Sequence, residues 1–167
     1  WASKHRVDLN VILADVTEEA HAESVRIFGG EPRATFMRSD LFELPSRCAD
    51  IVTASQFAHH FDSEQLPKVI ERMLDASRAG IVINDIHRHW IAWCAVWLVT
   101  RLVSANRYIR HDGPLSVAKG FRREDFRDAA QRLGNPTMTV SWRPLFRYSV
   151  IIPKPMVQEE LDHAERS

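Results

Sequence analysis

Apolar side chains fall in two rhythms along this chain. Short unbroken apolar runs bounded by turn residues predict buried strands, and longer stretches with an apolar residue every third or fourth position predict helices. Residues 9–14 (LNVILA), 34–38 (ATFMR), 51–54 (DIVTA without its leading Asp50) and 81–84 (IVIN) are of the first kind. Residues 17–28 have helical spacing and are followed by Gly29 and Gly30, which predicts a glycine-capped end. Val69, Ile70, Met73 and Leu74 mark the apolar side of a helix that takes Pro67 in its first turn and is predicted to end at Gly80. Strand and helix alternate, so the first half predicts an α/β domain with a mainly parallel sheet.

The rhythm changes after residue 84. Residues 90–103 (WIAWCAVWLVTRLV) are apolar nearly all round, which predicts a helix buried between layers or covering a pocket. A loop is expected at His111, Asp112, Gly113 and Pro114, then a helix over 122–133 stopped by Gly134, Asn135 and Pro136. Residues 138–142 and 146–152 read as the two strands of an antiparallel hairpin. From Pro153 the chain is charged and proline-punctuated, a frayed helical tail over 154–167.

Composition narrows the class. At 167 residues and 45% hydrophobic, the chain is long enough for a sizeable core without disulfides or a structural metal. Cys48 and Cys94 read as reduced thiols of a cytoplasmic protein. The longest apolar run has ten residues, about half of the roughly 20 that span a bilayer, so no membrane span is expected. The chain opens on Trp1, and we expect it to begin inside a longer natural polypeptide.

The formal net charge is zero, but residues 1–87 carry 9 basic and 14 acidic groups and residues 88–154 carry 12 and 4. A basic block of that size attracts phosphate backbones in principle. Here Arg122, Arg123, Arg127 and Arg132 alternate with Glu124, Asp125 and Asp128, the pattern of a solvated helix face, and nucleic acid is disfavoured.

Ligands of open parallel sheets bind at the carboxyl ends of the strands. Those ends are polar here: Asp15 and Val16, then Asp40 and Leu41, then Ser55 through His60, then Asp85 through His89. Asp15 is placed to accept hydrogen bonds from a ribose diol and Asp40 from an adenine amine. His59 and His60 have two readings, a general base or a helix cap and pocket lining. His87 and His89 have a metal-like spacing with Asp85, and His87 becomes the better base if residues 85–88 end the strand. Trp90, Trp93 and Trp97 share a helix face, and Arg88, Arg107 and Arg110 suit a carboxylate or phenolate.

In their order, these features resemble the class I S-adenosylmethionine-dependent methyltransferases, closest to the small-molecule branch with quinone and polyketide methyltransferases. The residues that carry the resemblance are a strand ending in Asp15, the Ser-Asp-Leu of 39–41, the Asp-Ile-Val of 50–52 running into Phe-Ala-His-His-Phe (57–61), and a terminal hairpin. The resemblance implies a Rossmann-like, mainly parallel sheet over residues 1–153 with a lid segment at 87–121. It implies S-adenosyl-L-methionine held by Asp15, Val16, Asp40, Leu41 and Ser55. Its catalytic candidates are His87, His59 and His60, with no metal. An apolar, aromatic or polyketide-like small molecule would lie against Arg88, Trp93, Trp97 and Arg110, and the 90–103 helix would serve as lid or as homodimer contact.

The family's first strand and its G-x-G-x-G loop have no counterpart among the six glycines, so we expect two open strand edges with an empty slot between them. Three rival readings remain: an RNA methyltransferase, a non-catalytic homologue that binds a partner through the 90–103 helix, and a metal-dependent hydrolase using His59, His60, His87 and His89.

Overall fold

The computed structural model describes residues 2–103, 106–134 and 136–155. Twelve elements follow one another: α1 (Ala2–His5), β1 (Val11–Asp15), α2 (Glu18–Phe28), β2 (Ala34–Arg38), β3 (Ala49–Ser55), α3 (Leu66–Ala76), β4 (Ser77–Ile86), α4 (Trp90–Val103), α5 (Arg107–Lys119), α6 (Arg123–Arg132), β5 (Thr139–Arg143) and β6 (Arg147–Pro153). Short 3-10 turns at Leu41–Glu43 and Ala58–His60 follow β2 and β3.

The strands form two sheets. β1 and β2 pair in parallel, and β3, β4, β6 and β5 form a four-stranded sheet in that order. β4 is parallel to β3 and antiparallel to β6, and β5 and β6 make the expected terminal hairpin. Among the described residues no strand pairs with the remaining edges of β1 and β3, where an empty slot was expected.

Strand alternation builds the core of the larger sheet. Ile81 and Ile83 of β4 lie opposite Ile152 and Val150 of β6, all buried on one face. The helical stripe Leu66, Val69, Ile70 and Met73 of α3 contributes to the same cluster, as do Phe121, Phe126 and Ala129. Each fully buried aliphatic or aromatic side chain contributes about 1.5–3 kcal/mol of transfer free energy. By contrast α2 has no buried residue, and none of β1 or β2 reaches the core.

Three expectations are corrected. Gly80 does not end α3; that helix stops at Ala76, and Gly80 lies inside β4 with φ of 144°. A Cβ there would sit 2.5 Å from the Ile152 carbonyl oxygen, so the glycine serves strand approach and not helix termination. Gly29 caps α2 in right-handed geometry, its N–H bonded to the Val25 carbonyl, and Thr17 caps the other end through the Ala20 N–H.

Gly113 and Pro114 do not form a loop. They lie inside α5, although an interior proline costs a helix about 3 kcal/mol. Packing decides: Pro114 and Val117 are buried, and α5 runs against α4 so closely that a Cβ on Gly113 would lie 3.0 Å from Val96 Cγ1. Finally, α4 has the predicted bounds but is not buried between layers, since only Ala92 is buried. The expected tail beyond Pro155, and Asn135 at the stop of α6, lie outside the described residues.

Candidate functional site

The carboxyl ends of β1, β2, β3 and β4 carry the polar side chains. At β1, one Asp15 oxygen accepts from the Thr17 N–H at 2.8 Å and from the Thr17 hydroxyl at 2.7 Å. These bonds hold the Asp15 carboxyl below its ordinary range, so it is anionic at neutral pH. The Ser39 N–H donates to the Asp15 carbonyl at 3.1 Å, which ties the end of β2 to the end of β1 and brings Asp40 beside Asp15 in the fold. Asp40 caps the Leu41–Glu43 turn through the Phe42 N–H at 2.8 Å. An ionised carboxylate offers about four acceptor positions, so both keep capacity for a ligand. A cavity of about 120 Å³ adjoins Asp15 between Leu13, His21, Ser24 and Phe36, smaller than a typical ligand pocket. Val16 is exposed, and Leu41 packs against the core edge.

β3 ends at Ser55, next to Asn84 of β4. Gln56 then takes a left-handed conformation with φ of 52°, uncommon for a residue with a Cβ, and its N–H bonds the Asn84 carbonyl. The turn swings the chain so that Ala58 and His59 are buried over the end of β4.

There strand alternation continues the core row one step too far. After Ile81 and Ile83 the next position facing that way is Asp85, 1% exposed, opposite Tyr148. A buried carboxylate must be hydrogen-bonded, and Asp85 accepts three bonds. They come from the His59 N–H at 3.1 Å, His59 Nδ1 at 2.7 Å and the Ile86 N–H at 2.7 Å. Asp85 thereby fixes the ring of His59. His60 is exposed and stacks on His59 with centroids 4.5 Å apart. Neither imidazole caps α3, whose N-cap is Gln65.

His87 follows one step beyond β4, bridged to Phe121. Gly120 permits this approach, since a Cβ there would fall 2.6 Å from the Ile86 carbonyl oxygen. His87 Nε2 lies 3.2 Å from the Tyr148 hydroxyl, and its Nδ1 is buried with no hydrogen-bond partner. Burial, with help from His89 and Arg122, pushes the His87 pKa below 6.5, so the ring is neutral at pH 7. His89 stacks on Phe146 and contacts the His87 ring, so imidazoles and aromatics cluster beyond the end of β4. Among the described residues, no group of three His, Cys, Asp or Glu side chains is placed to hold a metal ion.

Of the proposed substrate residues, Trp93, Trp97 and Arg110 lie on the α4–α5 pair and Arg88 just before it. Arg88 is engaged by Asp125 at 3.1 Å, with its Nε buried and unpartnered. Trp93 and Trp97 stack along α4 with centroids 6.5 Å apart, each a little over one-third exposed. Arg110 lies on α5 and donates to the Arg101 carbonyl. The α4–α5 hairpin returns to the site through α5, which touches the Ala58–His60 turn.

No protein-family model matches this sequence, and no curated protein matches it. Solved structures do match in shape. The plantazolicin methyltransferase BpumL, in complex with a triazolic desmethylPZN analogue and SAH, superposes at a TM-score of 0.67 with 12% identity, covering 92% of this chain and 70% of that one. A SAM-dependent methyltransferase of Aquifex aeolicus gives 0.60 at 12% identity, over 86% of this chain and 68% of that one. The magnesium protoporphyrin IX methyltransferase of Synechocystis PCC 6803, with bound SAH, gives 0.54 at 16% identity, over 89% and 64%. The chain spans 45% of a Nostoc punctiforme protein it matches and 53% of one from Bordetella parapertussis. These likenesses establish the fold, the Rossmann-like α/β fold of the S-adenosylmethionine-dependent methyltransferases.

Proposed function

We propose that this chain is part of a methyltransferase that moves the methyl group of S-adenosylmethionine to an apolar, aromatic or polyketide-like small molecule. The observation that carries the reading is the pair of carboxylates at adjacent parallel strand ends, Asp15 and Asp40, joined through the Ser39 N–H. Acceptor-only groups suit a ribose diol and an exocyclic amine, and Asp15 is held anionic for that role. Val16, Leu41 and Ser55 would flank the nucleoside. The residues present thus fit its ribose and adenine, and no glycine-rich loop among them serves the amino-acid end.

The cofactor supplies an already activated methyl group. What this chain's residues have to do is orient the acceptor, exclude water and take up a proton where the acceptor is a hydroxyl. His87 is the proton acceptor in this reading, because its ring is neutral and a buried ring nitrogen lacks a partner. Tyr148 and the Asp85-anchored His59 position the surrounding wall, with His60 at its rim. Trp93 and Trp97 shape the apolar side as part of a lid spanning 87–121, with Arg88 and Arg110 toward the acceptor's polar end. Cys48 and Cys94, both free thiols, suit the cytoplasm.

Equilibrium dialysis with labelled S-adenosylmethionine tests the reading. Asp15→Ala removes a charge-assisted acceptor worth about 1.5–3 kcal/mol, so affinity should fall about tenfold or more. Unchanged affinity in that variant, or no binding by the parent chain, would reject it.

A further inference from the structure

We infer that the α4–α5 hairpin docks this protein onto an anionic lipid surface, with α4 lying in the interfacial layer. An apolar helical stretch of 10–14 residues is ordinarily either a buried core helix or an interfacial membrane segment. Within the described residues α4 is not a core helix. Along 14 residues α4 buries only Ala92, with Val96 and Thr100 half-buried where α5 crosses at Gly113.

Outside that narrow contact the helix is apolar and in solvent. Trp90 is 71% exposed, Leu102 75% and Val103 81%, and Ile91, Leu98 and Val99 are exposed with them. α5 adds Tyr108 and Ile109 on the same hairpin. Monomeric soluble proteins rarely leave such a contiguous patch in water. At 1.5 Å per residue α4 is about 21 Å long, too short to cross a bilayer but long enough to lie along one.

Charge selects the occupant. No Asp or Glu occurs between positions 90 and 111, whereas Arg101, Arg107 and Arg110 flank the exposed apolar end. Arg101 lies over the Trp97 ring at 4.0 Å, an arrangement in which the apolar stem stays with the ring while the guanidinium reaches phosphate. Tryptophans with arginines at one end are the side chains that partition to the headgroup boundary. A second copy of this chain would bring the same arginines against each other, whereas an anionic lipid surface meets them with opposite charge. This inference stands on the hairpin alone and does not depend on the proposed methyl transfer.

The test is flotation of the full chain with vesicles of phosphatidylcholine alone or of phosphatidylcholine and phosphatidylglycerol at 3:1, with brominated lipid as a tryptophan quencher. Binding to the anionic vesicles with quenched emission is expected. Each basic residue near an anionic surface is worth about fivefold in binding. Arg107→Gln with Arg110→Gln should therefore weaken anionic binding by about tenfold or more and leave binding to neutral vesicles unchanged. Leu102→Asp with Val103→Asp, at solvent-exposed positions that do not enter the core, should lower binding to both. Absence of flotation with either vesicle overturns the inference, as does flotation unaffected by both double variants. A dimer that vesicles leave intact and that Leu102→Asp with Val103→Asp converts to monomer would assign the face to a second copy instead.

Discussion

His59 Nδ1 and Asp85 Oδ1 lie 2.7 Å apart with both side chains buried, and the second Asp85 oxygen accepts the His59 backbone N–H. The pair pins the turn after β3 to the end of β4, so one carboxylate fixes both the main chain and the ring of the same residue. Asp85→Ala leaves three donors without their acceptor in a buried site. Each unsatisfied buried group costs about 1–3 kcal/mol, so urea unfolding should show a loss of about 3 kcal/mol or more. Asp85→Asn keeps the volume and one acceptor oxygen and should lose less. Equal loss in the two variants would show that shape and not hydrogen bonding holds the turn.

The lowered His87 pKa fixes the sign of a pH effect. The folded protein holds this ring neutral, whereas the unfolded chain protonates it near 6.5. Below 6.5 the unfolded state binds more protons, so stability declines as pH falls from 6.5 toward the lowered folded value and is level above 6.5. His87→Phe should flatten that part of the stability curve measured by urea titration at successive pH values. In turnover, the proton-accepting form of His87 would persist to lower pH than an ordinary histidine allows. An acid limb centred at or above 6.5, or one retained in His87→Phe, would assign the proton transfer elsewhere.

Gly80→Ala should be among the most damaging single-methyl additions to this fold. The added Cβ would lie 2.5 Å from the Ile152 carbonyl oxygen and 2.9 Å from Pro153 Cα, and the φ of 144° is itself strained for any other residue. These backbone atoms belong to β6 and cannot yield without parting it from β4, so a loss of about 3 kcal/mol or more is expected in denaturant unfolding. Gly30→Ala, whose Cβ meets nothing within 4 Å, is the matched control and should stay within about 0.5 kcal/mol.

Period and punctuation were enough to read the strands, the apolar face of α3 and the terminal hairpin from the sequence, but not where α3 ends. Where tertiary contact overrides local preference, they were not. The helix through Gly113 and Pro114 forms because α4 crosses there, and nothing local announces it. Asp85 was visible as a strand-end carboxylate, but its partnership with His59 joins residues 26 apart and depends on the left-handed Gln56. A signal for it did exist: the alternation Ile81, Ile83, Asp85 places the carboxylate on the buried face. The exposure of α4 was hidden for another reason. Apolar sequence reports that a helix seeks a nonaqueous partner, and it does not say whether that partner lies within the chain.

The β1–α2–β2 unit sends no side chain into the core, yet it carries Asp15 and ends beside Asp40. A region with so little buried surface opens at a small free-energy cost compared with the sheet around β4. A nucleoside held there would meet a binding-competent arrangement in only a fraction of molecules, and its apparent affinity would be divided by that fraction. Ligand capture and ordering of the unit are then one linked equilibrium, so any segment or partner that settles the open edges of β1 and β3 tightens nucleoside binding without touching the nucleoside.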